Sequence, residues 1–372
     1  MASTPEDRAE DGAAATLDLA VPAPAEARTS RVRLGAGLFD AASAERPAFL
    51  VLDERVAELY PRPDLEGVPR LTLPGGEATK SFAVLERLLE AMGAAGVERG
   101  QHLLAIGGGV VTDVAGLAAS LYRRGIAWEA VPTTLLAQVD AAVGGKTAIN
   151  ARRAKNLFGT FHAPREVRVD PRVLATLAAD DWRSGFGEVL KTALLGARCA
   201  DGTWLFERLE QWAADGRFAS APPAADTVDA WAAVLAPCLA FKAAVVADDY
   251  REAGARAQLN LGHTFGHGIE AAADFRVPHG IAVAVGLALA LERAEREGLL
   301  ADATLSARTA ALARAAGLPT SLAELNGAFG TAVTPADMRA HALHDKKRAG
   351  GEHVLVLPVQ LGEVALLGTH EL

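Results

Sequence analysis

The chain has 372 residues, half of them apolar and 22% charged, with a formal net charge of −9. This length predicts two domains or one large one with a sizeable core, and the acidic balance argues against nucleic acid as a partner. No uncharged apolar run reaches the roughly 18 residues of a spanning helix, so no membrane partner is expected; two cysteines, Cys199 and Cys238, give no disulfide framework and no CxxC metal pair, which suits a reducing cytoplasm.

Residues 1–29 are rich in Ala, Pro, Glu and Asp, lack a sustained period and lack a basic-then-apolar signal pattern. They are expected to form a disordered leader. From 30 to 178 short apolar runs alternate with helical patterns. "AFLVLD" (48–53), "HLLAIG" (102–107) and "WEAVP" (128–132) read as buried strands, and "SFAVLERLLEAMGAAG" (81–96) as an amphipathic helix ending at Gly96. That alternation predicts an α/β, Rossmann-like N-terminal domain with a mostly parallel sheet. Over 179–372 Ala- and Leu-rich helical patterns dominate, predicting a mainly α-helical C-terminal domain. "IAVAVGLALALERAEREGLL" (281–300) reads as a buried helix that emerges at Glu292 and Arg293. "EHVLVLPVQLGEVALL" (352–367) reads as a late hairpin turning at 360–362. No internal repeat is present.

"LLAIGGGVVTDVAGLAAS" (103–120) runs strand, glycines, helix. Gly107, Gly108 and Gly109 would let a ligand approach the backbone, and the helix behind them offers free N–H groups to a phosphate. The pattern is not GxGxxG, since Thr112 stands where the third glycine would be; a nucleotide is the favoured reading, with a tight turn without a ligand as the alternative. "PGGEATK" (74–80) and "VPTTLLAQVDAAVGGKTAIN" (131–150) add glycines and polar groups at strand ends, where open α/β sheets bind ligands.

Lys146, Lys155, Arg123 and Arg124 stand out in an acidic chain, as a solvated surface or as an anion site. Glu188 and Lys191 are three apart on one helix face, as a salt bridge or as a metal carboxylate with a neighbouring ammonium. His263 and His267 are spaced i, i+4, and His279 opens the next helix. Spacing alone would choose the first two as metal ligands, as in HExxH helices.

"GGEATK", "GGGVVTDVAG", "YRRG", "PTTLLAQVDAAVGGKTAIN", "KNLFGTF", "RSGFGEVLK", "LNLGHTFGHGIE", "PHGIAVAVG" and "DKK" occur in order. Together, from about 30 to 367, they resemble 3-dehydroquinate synthase, within the sugar-phosphate cyclase family. The resemblance implies a divalent metal, zinc or cobalt, held by Glu188, His263 and His279, with His267 facing substrate instead. It implies NAD along Asp53, Glu77 and Lys80 at its adenosine end. Gly108 and Gly109 would approach the pyrophosphate, with Asp113, Thr133, Thr134, Lys155 and Thr176 around the rest. Asp140 would sit between nicotinamide and substrate. Lys146, Asn156, Asn260, His267 and Lys346 would hold the substrate phosphate, with Lys347 the alternative to Lys346, and Arg124 would reach the phosphate of a neighbouring subunit in a homodimer. Lys191 would contact ring hydroxyls, and Lys242 and Arg256 the substrate carboxylate.

The reaction implied is that of the shikimate pathway. 3-Deoxy-D-arabino-heptulosonate 7-phosphate is oxidised at C5, loses phosphate, is reduced again, opens and closes by an aldol step. Thr112 and the "FGE" before Val189 depart from the common family pattern and leave room for a sister cyclase, such as an aminodehydroquinate synthase or a sedoheptulose 7-phosphate cyclase. A metal-dependent alcohol or glycerol dehydrogenase would not need the phosphate and carboxylate cations. A catalytically dead NAD-binding protein would not need the complete set of ligands.

Overall fold

The computed structural model describes residues 17–23, 28–151, 154–218, 222–225, 227–252, 254–347 and 354–368. Among the described residues its N-terminal half is built on nine strands: β1 (Leu17–Ala23), β2 (Arg28–Leu34), β3 (Phe49–Asp53), β4 (Arg70–Leu73), β5 (His102–Gly107), β6 (Ala127–Pro132), β7 (Lys146–Ala151), β8 (Ala154–Phe161) and β9 (Glu166–Val169). Seven form one sheet in the order β1-β2-β9-β6-β5-β3-β4. All neighbours in it are parallel except β1 and β2.

Central parallel strands are covered on both faces, so they read as continuous apolar runs. Alternate residues of one strand enter opposite layers. Phe49, Val51, Leu103 and Ala105 join the large core, while Leu50, Leu52, Leu104 and Ile106 join a smaller one around Phe39, Val68 and Val173. Helices α1 (Glu54–Leu59), α2 (Phe82–Ala94) and α3 (Gly109–Leu121) follow β3, β4 and β5. From β3 the chain moves outward to β4, then returns to lay β5 on the other side of β3. This strand-order reversal opens a crevice at the carboxyl ends of β3 and β5, where such sheets bind ligands.

Two features depart from the expectations. The leader is corrected over Leu17–Ala23, which pair antiparallel with Arg28–Leu34 and extend the sheet edge. Residues 1–16 and 24–27 lie outside the described residues. The strands β7 and β8 form a separate antiparallel hairpin against α3, which the glycine-rich 131–150 stretch did not predict.

The C-terminal half contains α4 (Ala179–Leu194), α5 (Leu205–Ala214), α6 (Ala232–Asp248), α7 (His263–Ala272), α8 (His279–Arg296), α9 (Leu305–Ala315), α10 (Leu322–Phe329) and α11 (Pro335–Lys347). A hairpin of β10 (Val354–Gln360) and β11 (Glu363–Gly368) turns at Leu361–Gly362, as the sequence predicts. Helix α8 is buried from Gly280 through Leu287. Glycines set its crossings: a Cβ on Gly280 would lie 1.7 Å from the Ser184 carbonyl oxygen, and one on Gly286 2.1 Å from that of Gly262. Only glycine permits such backbone approach; the first contact draws the start of α8 onto α4, and the second draws the start of α7 onto α8. Among the described residues, one helical stretch, Val228–Asp248, is long and apolar enough to cross a membrane by length and composition. Its Val234, Leu235, Leu239 and Val246 are packed into the core.

Candidate active site

A cleft of about 840 Å³ opens at the strand-order reversal, within the roughly 300–1,000 Å³ usual for ligand sites. All ten residues expected around NAD line it: Asp53, Glu77, Lys80, Gly108, Gly109, Asp113, Thr133, Thr134, Lys155 and Thr176. Gly108 caps α3 with extended backbone, so that helix presents its free N–H groups to the cleft. Close packing explains why glycine stands there, since a Cβ on Gly108 would lie 2.9 Å from the Thr134 methyl. One oxygen of Asp53 accepts from the N–H groups of Arg55 and Val56 and so caps α1. The other lies beside Gly75, facing the cleft wall. Lys80 is 5% exposed and donates to Asp113 at 2.6 Å and to the Asn156 side chain. Burial raises the Asp113 carboxyl against the pull of Lys80. The β7–β8 hairpin is tied to this wall, with Asn150 donating to Glu77 at 2.7 Å and accepting from the Asn156 N–H at 2.9 Å.

His267 and His279 line the same cleft. Ring nitrogens of His263, His267 and His279 lie within 4.8 Å of one another, close enough for one cation. Glu188 stands beneath two of them: its Oε1 is 3.3 Å from His279 Nε2 and 3.6 Å from His263 Nε2. Lys191 reaches its Oε2 at 2.5 Å. The carboxylate is fully buried, with Oε2 paired to Lys191 and Oε1 facing both imidazoles, a position from which Oε1 could share a cation with them. The fold therefore offers both donor sets, the three histidines and the Glu188–His263–His279 triad. Burial opposes charge on His279, but the carboxylates of Glu270 and Glu188 outweigh it and lift the imidazole to about 10. Burial and Lys191 push His263 down to about 3, leaving it in the neutral, ligating form.

The expected substrate cations are distributed around this centre. Lys242 of α6 is paired with Asp140, which sits in a short π-helical turn (Ala137–Ala141) after β6. Burial lowers the Lys242 ammonium to about 8 against the attraction of Asp140. Burial also opposes charge on Asp140, yet Lys242 and Lys191 hold its carboxyl well below the usual range. Arg256 is 2% exposed; it donates to the Tyr250 carbonyl at 2.7 Å, while its Nε is buried without an acceptor.

Asn156 and His267 line the cleft, whereas Asp140, Lys191, Lys242, Arg256, Asn260, Lys146 and Arg124 do not. Lys146 is paired with Glu252. Arg124 is exposed at the far end of the 13-residue α3, roughly 20 Å from the glycine end. Lys346 and Lys347 fall in α11, and their side chains lie outside the described residues. The sequence reading missed Glu270, which bridges His279 and Lys155. An acid three residues after His267 in an otherwise apolar segment was the available signal. It also missed His341 at the cleft and Glu252 beside Lys146.

Comparisons with known proteins agree with this architecture. Residues 70–184 match the 3-dehydroquinate synthase N-terminal family and residues 185–348 the 3-dehydroquinate synthase C-terminal family. The chain is 42% identical over 355 residues to 3-dehydroquinate synthase of Rhodospirillum rubrum, covering 91% of this chain and 88% of that one. Its fold is similar to 2-epi-5-epi-valiolone synthase of Streptomyces hygroscopicus subsp. jinggangensis, solved with NAD+ and Zn2+, at TM-score 0.74 and 30% identity over 91% of this chain and 92% of the other. 2-Deoxy-scyllo-inosose synthase, solved with carbaglucose-6-phosphate, NAD+ and Co2+, shares the fold at TM-score 0.76 and 24% identity, covering 94% of each chain. With both halves matched in order on one cleft, the chain belongs to the 3-dehydroquinate synthase family.

Proposed function

We propose that this chain converts 3-deoxy-D-arabino-heptulosonate 7-phosphate to 3-dehydroquinate and phosphate, a carbon–oxygen lyase reaction of the shikimate pathway that uses NAD and a divalent metal. The observation that carries the reading is one cleft lined at one side by Gly108 and Gly109 and at the other by His267 and His279. A redox cofactor and a metal would then act on the same substrate carbon. Bound NAD would supply hydride removal and return at C5, and bound zinc or cobalt would polarise the C4 and C5 oxygens.

Glu188, His263 and His279 would hold the metal. Two histidines and one carboxylate leave positions open to substrate, and His267, exposed in the cleft, is left to face it. Lys191 would contact the ring hydroxyls, and Asp140 would stand between nicotinamide and substrate. Lys242 and Arg256 would grip the carboxylate, an acceptor the buried Arg256 Nε lacks. Lys146, Asn156, Asn260, His267 and Lys346 would hold the phosphate dianion so that its own oxygen assists proton removal. Arg124, too far from its own cleft, would serve the phosphate of a partner subunit in a homodimer. The two free cysteines suit the cytoplasm.

The likeness to a valiolone synthase favours a sister cyclase as the second reading. Buried Arg256 argues against a sedoheptulose 7-phosphate cyclase, because a neutral group there would leave its Nε without an acceptor, whereas Lys242 keeps Asp140 in either case. Phosphate release from candidate sugar phosphates, with the product weighed by mass spectrometry, separates the two. A product with the mass of 3-dehydroquinate supports the first reading, and turnover of sedoheptulose 7-phosphate alone supports the second.

A further inference from the structure

Glu270 has no part in the roles assigned above, yet its environment is specific. It lies on α7 with 1% of its surface exposed. A carboxylate that deep must be paired on both oxygens or it destabilises the fold. Oε2 lies 3.0 Å from His279 Nδ1, and Oε1 accepts from Lys155 Nζ at 2.6 Å. The opposite nitrogen of the same imidazole, Nε2, lies 3.3 Å from Glu188 Oε1. Lys155 belongs to β8, in the N-terminal half, and lines the cofactor cleft together with Phe275, whose ring centroid is 4.9 Å from its ammonium. A continuous line of contacts thus runs from the cleft wall through Glu270 and His279 to Glu188.

An acceptor on Nδ1 keeps the proton on that nitrogen. In the neutral ring that a metal requires, it thereby leaves the Nε2 lone pair aimed at the cluster and fixes the ring plane. The simpler account is that Glu270 only closes α7 onto the hairpin through Lys155. That contact uses one oxygen, while the other is spent on the imidazole. We propose that Glu270 is a positioning residue: it orients His279 for the metal and links that orientation to Lys155, so that metal affinity responds to a residue of the cofactor cleft. The proposal rests on the reading that His279 is a metal ligand.

The test uses the full chain, stripped of metal and titrated with Zn2+ against a chromophoric chelator, and with Co2+ while the visible spectrum is followed. Glu270→Ala is expected to weaken metal binding about 10- to 100-fold, the usual cost of losing such a partner. Glu270→Gln keeps the shape and an acceptor oxygen, so it should recover part of the loss, with an altered cobalt spectrum. This variant also serves if Glu270→Ala fails to fold. Lys155→Met should change metal affinity by roughly threefold or more in the native background, as contacting residues do, and leave it unchanged in the Glu270→Ala background.

A purely structural Glu270 would lower the melting temperature of both variants while the folded protein bound metal with native affinity and a native cobalt spectrum; that result overturns the proposal. An equal Lys155→Met effect in both backgrounds overturns the link to the cleft. If the native chain itself takes up no metal, the metal reading fails instead, so the two failures are distinct.

Discussion

Gly187 of α4 and Gly280 of α8 touch backbone to backbone: a Cβ on Gly187 would lie 1.9 Å from the Gly280 carbonyl oxygen. Each glycine is the immediate neighbour of a proposed ligand, Glu188 on one helix and His279 on the other. The crossing therefore sets the 3.3 Å separation of Glu188 Oε1 and His279 Nε2. Gly187→Ala must push the helices apart, and overpacking of this kind costs about 1–3 kcal/mol. The expected outcome is a lower melting temperature together with reduced bound metal, both measurable on the purified protein. Native metal content in a destabilised Gly187→Ala protein would show that the crossing does not set the site.

The ligand set divides the histidines. Metal analysis of His263→Ala, His267→Ala, His279→Ala and Glu188→Gln should find metal lost in all except His267→Ala. That variant should keep its metal and lose turnover. Loss of metal from His267→Ala to the same degree as from the others would favour the three-histidine set.

Lys242 makes the alkaline limb of the pH profile readable. Burial depresses its pKa from the ordinary 10.5 to about 8. The cation is thus present in the folded protein below about pH 8 and lost above it. With a carboxylate substrate, kcat/KM should fall as pH rises through 8. The stability effect has the opposite sign. Between 8 and 10.5 the unfolded chain holds the proton more tightly than the folded one, so the cost of burying this cation is full below 8 and is relieved as pH rises. Lys242→Arg replaces it with a group that stays charged. Its kcat/KM profile should lose the limb near pH 8; an unchanged limb assigns that titration elsewhere.

Gly108→Ala tests the cofactor cleft separately. The added methyl meets the Thr134 methyl at 2.9 Å, at the helix start that would face a pyrophosphate. NAD affinity, measured by titration calorimetry, should fall roughly tenfold or more, about 1.4 kcal/mol, with metal content unchanged. Undiminished NAD binding would place the cofactor away from this turn.

Most of the fold was legible because its signals are local. The runs at 48–53, 102–107 and 128–132 are strands, and 81–96 contains α2 with Ser81 as its cap. The β7–β8 hairpin was not legible. Leu157, Phe158 and Phe161 of β8 are all exposed although neighbours on a strand point to opposite faces, so neither alternation nor a buried run marks it. The strand at Leu17–Ala23 hides in a composition that resembles a disordered tail, and its pairing with Arg28–Leu34 is what gives it a place in the sheet. At the site, helical spacing pointed to His263 and His267, whereas His279 reaches the cluster only through the glycine crossings of α8. Glu270 was missed for the same reason: what makes it notable is burial between Lys155 and His279, a property of packing between segments far apart in sequence.

The central claim is best tested by one comparison. With NAD and Zn2+ present, phosphate release is measured for 3-deoxy-D-arabino-heptulosonate 7-phosphate and for sedoheptulose 7-phosphate, with reduced nicotinamide followed throughout and Arg256→Ala run beside the native chain. The account predicts many turnovers on the heptulosonate without accumulation of NADH, and far poorer turnover of the sedoheptulose phosphate. Arg256→Ala should lose roughly 10- to 150-fold in efficiency on the heptulosonate, as expected for one charge-assisted contact of about 1.5–3 kcal/mol. Equal efficiency on the two substrates, NADH accumulating one for one with product, or an Arg256→Ala protein as active as the native chain would contradict it.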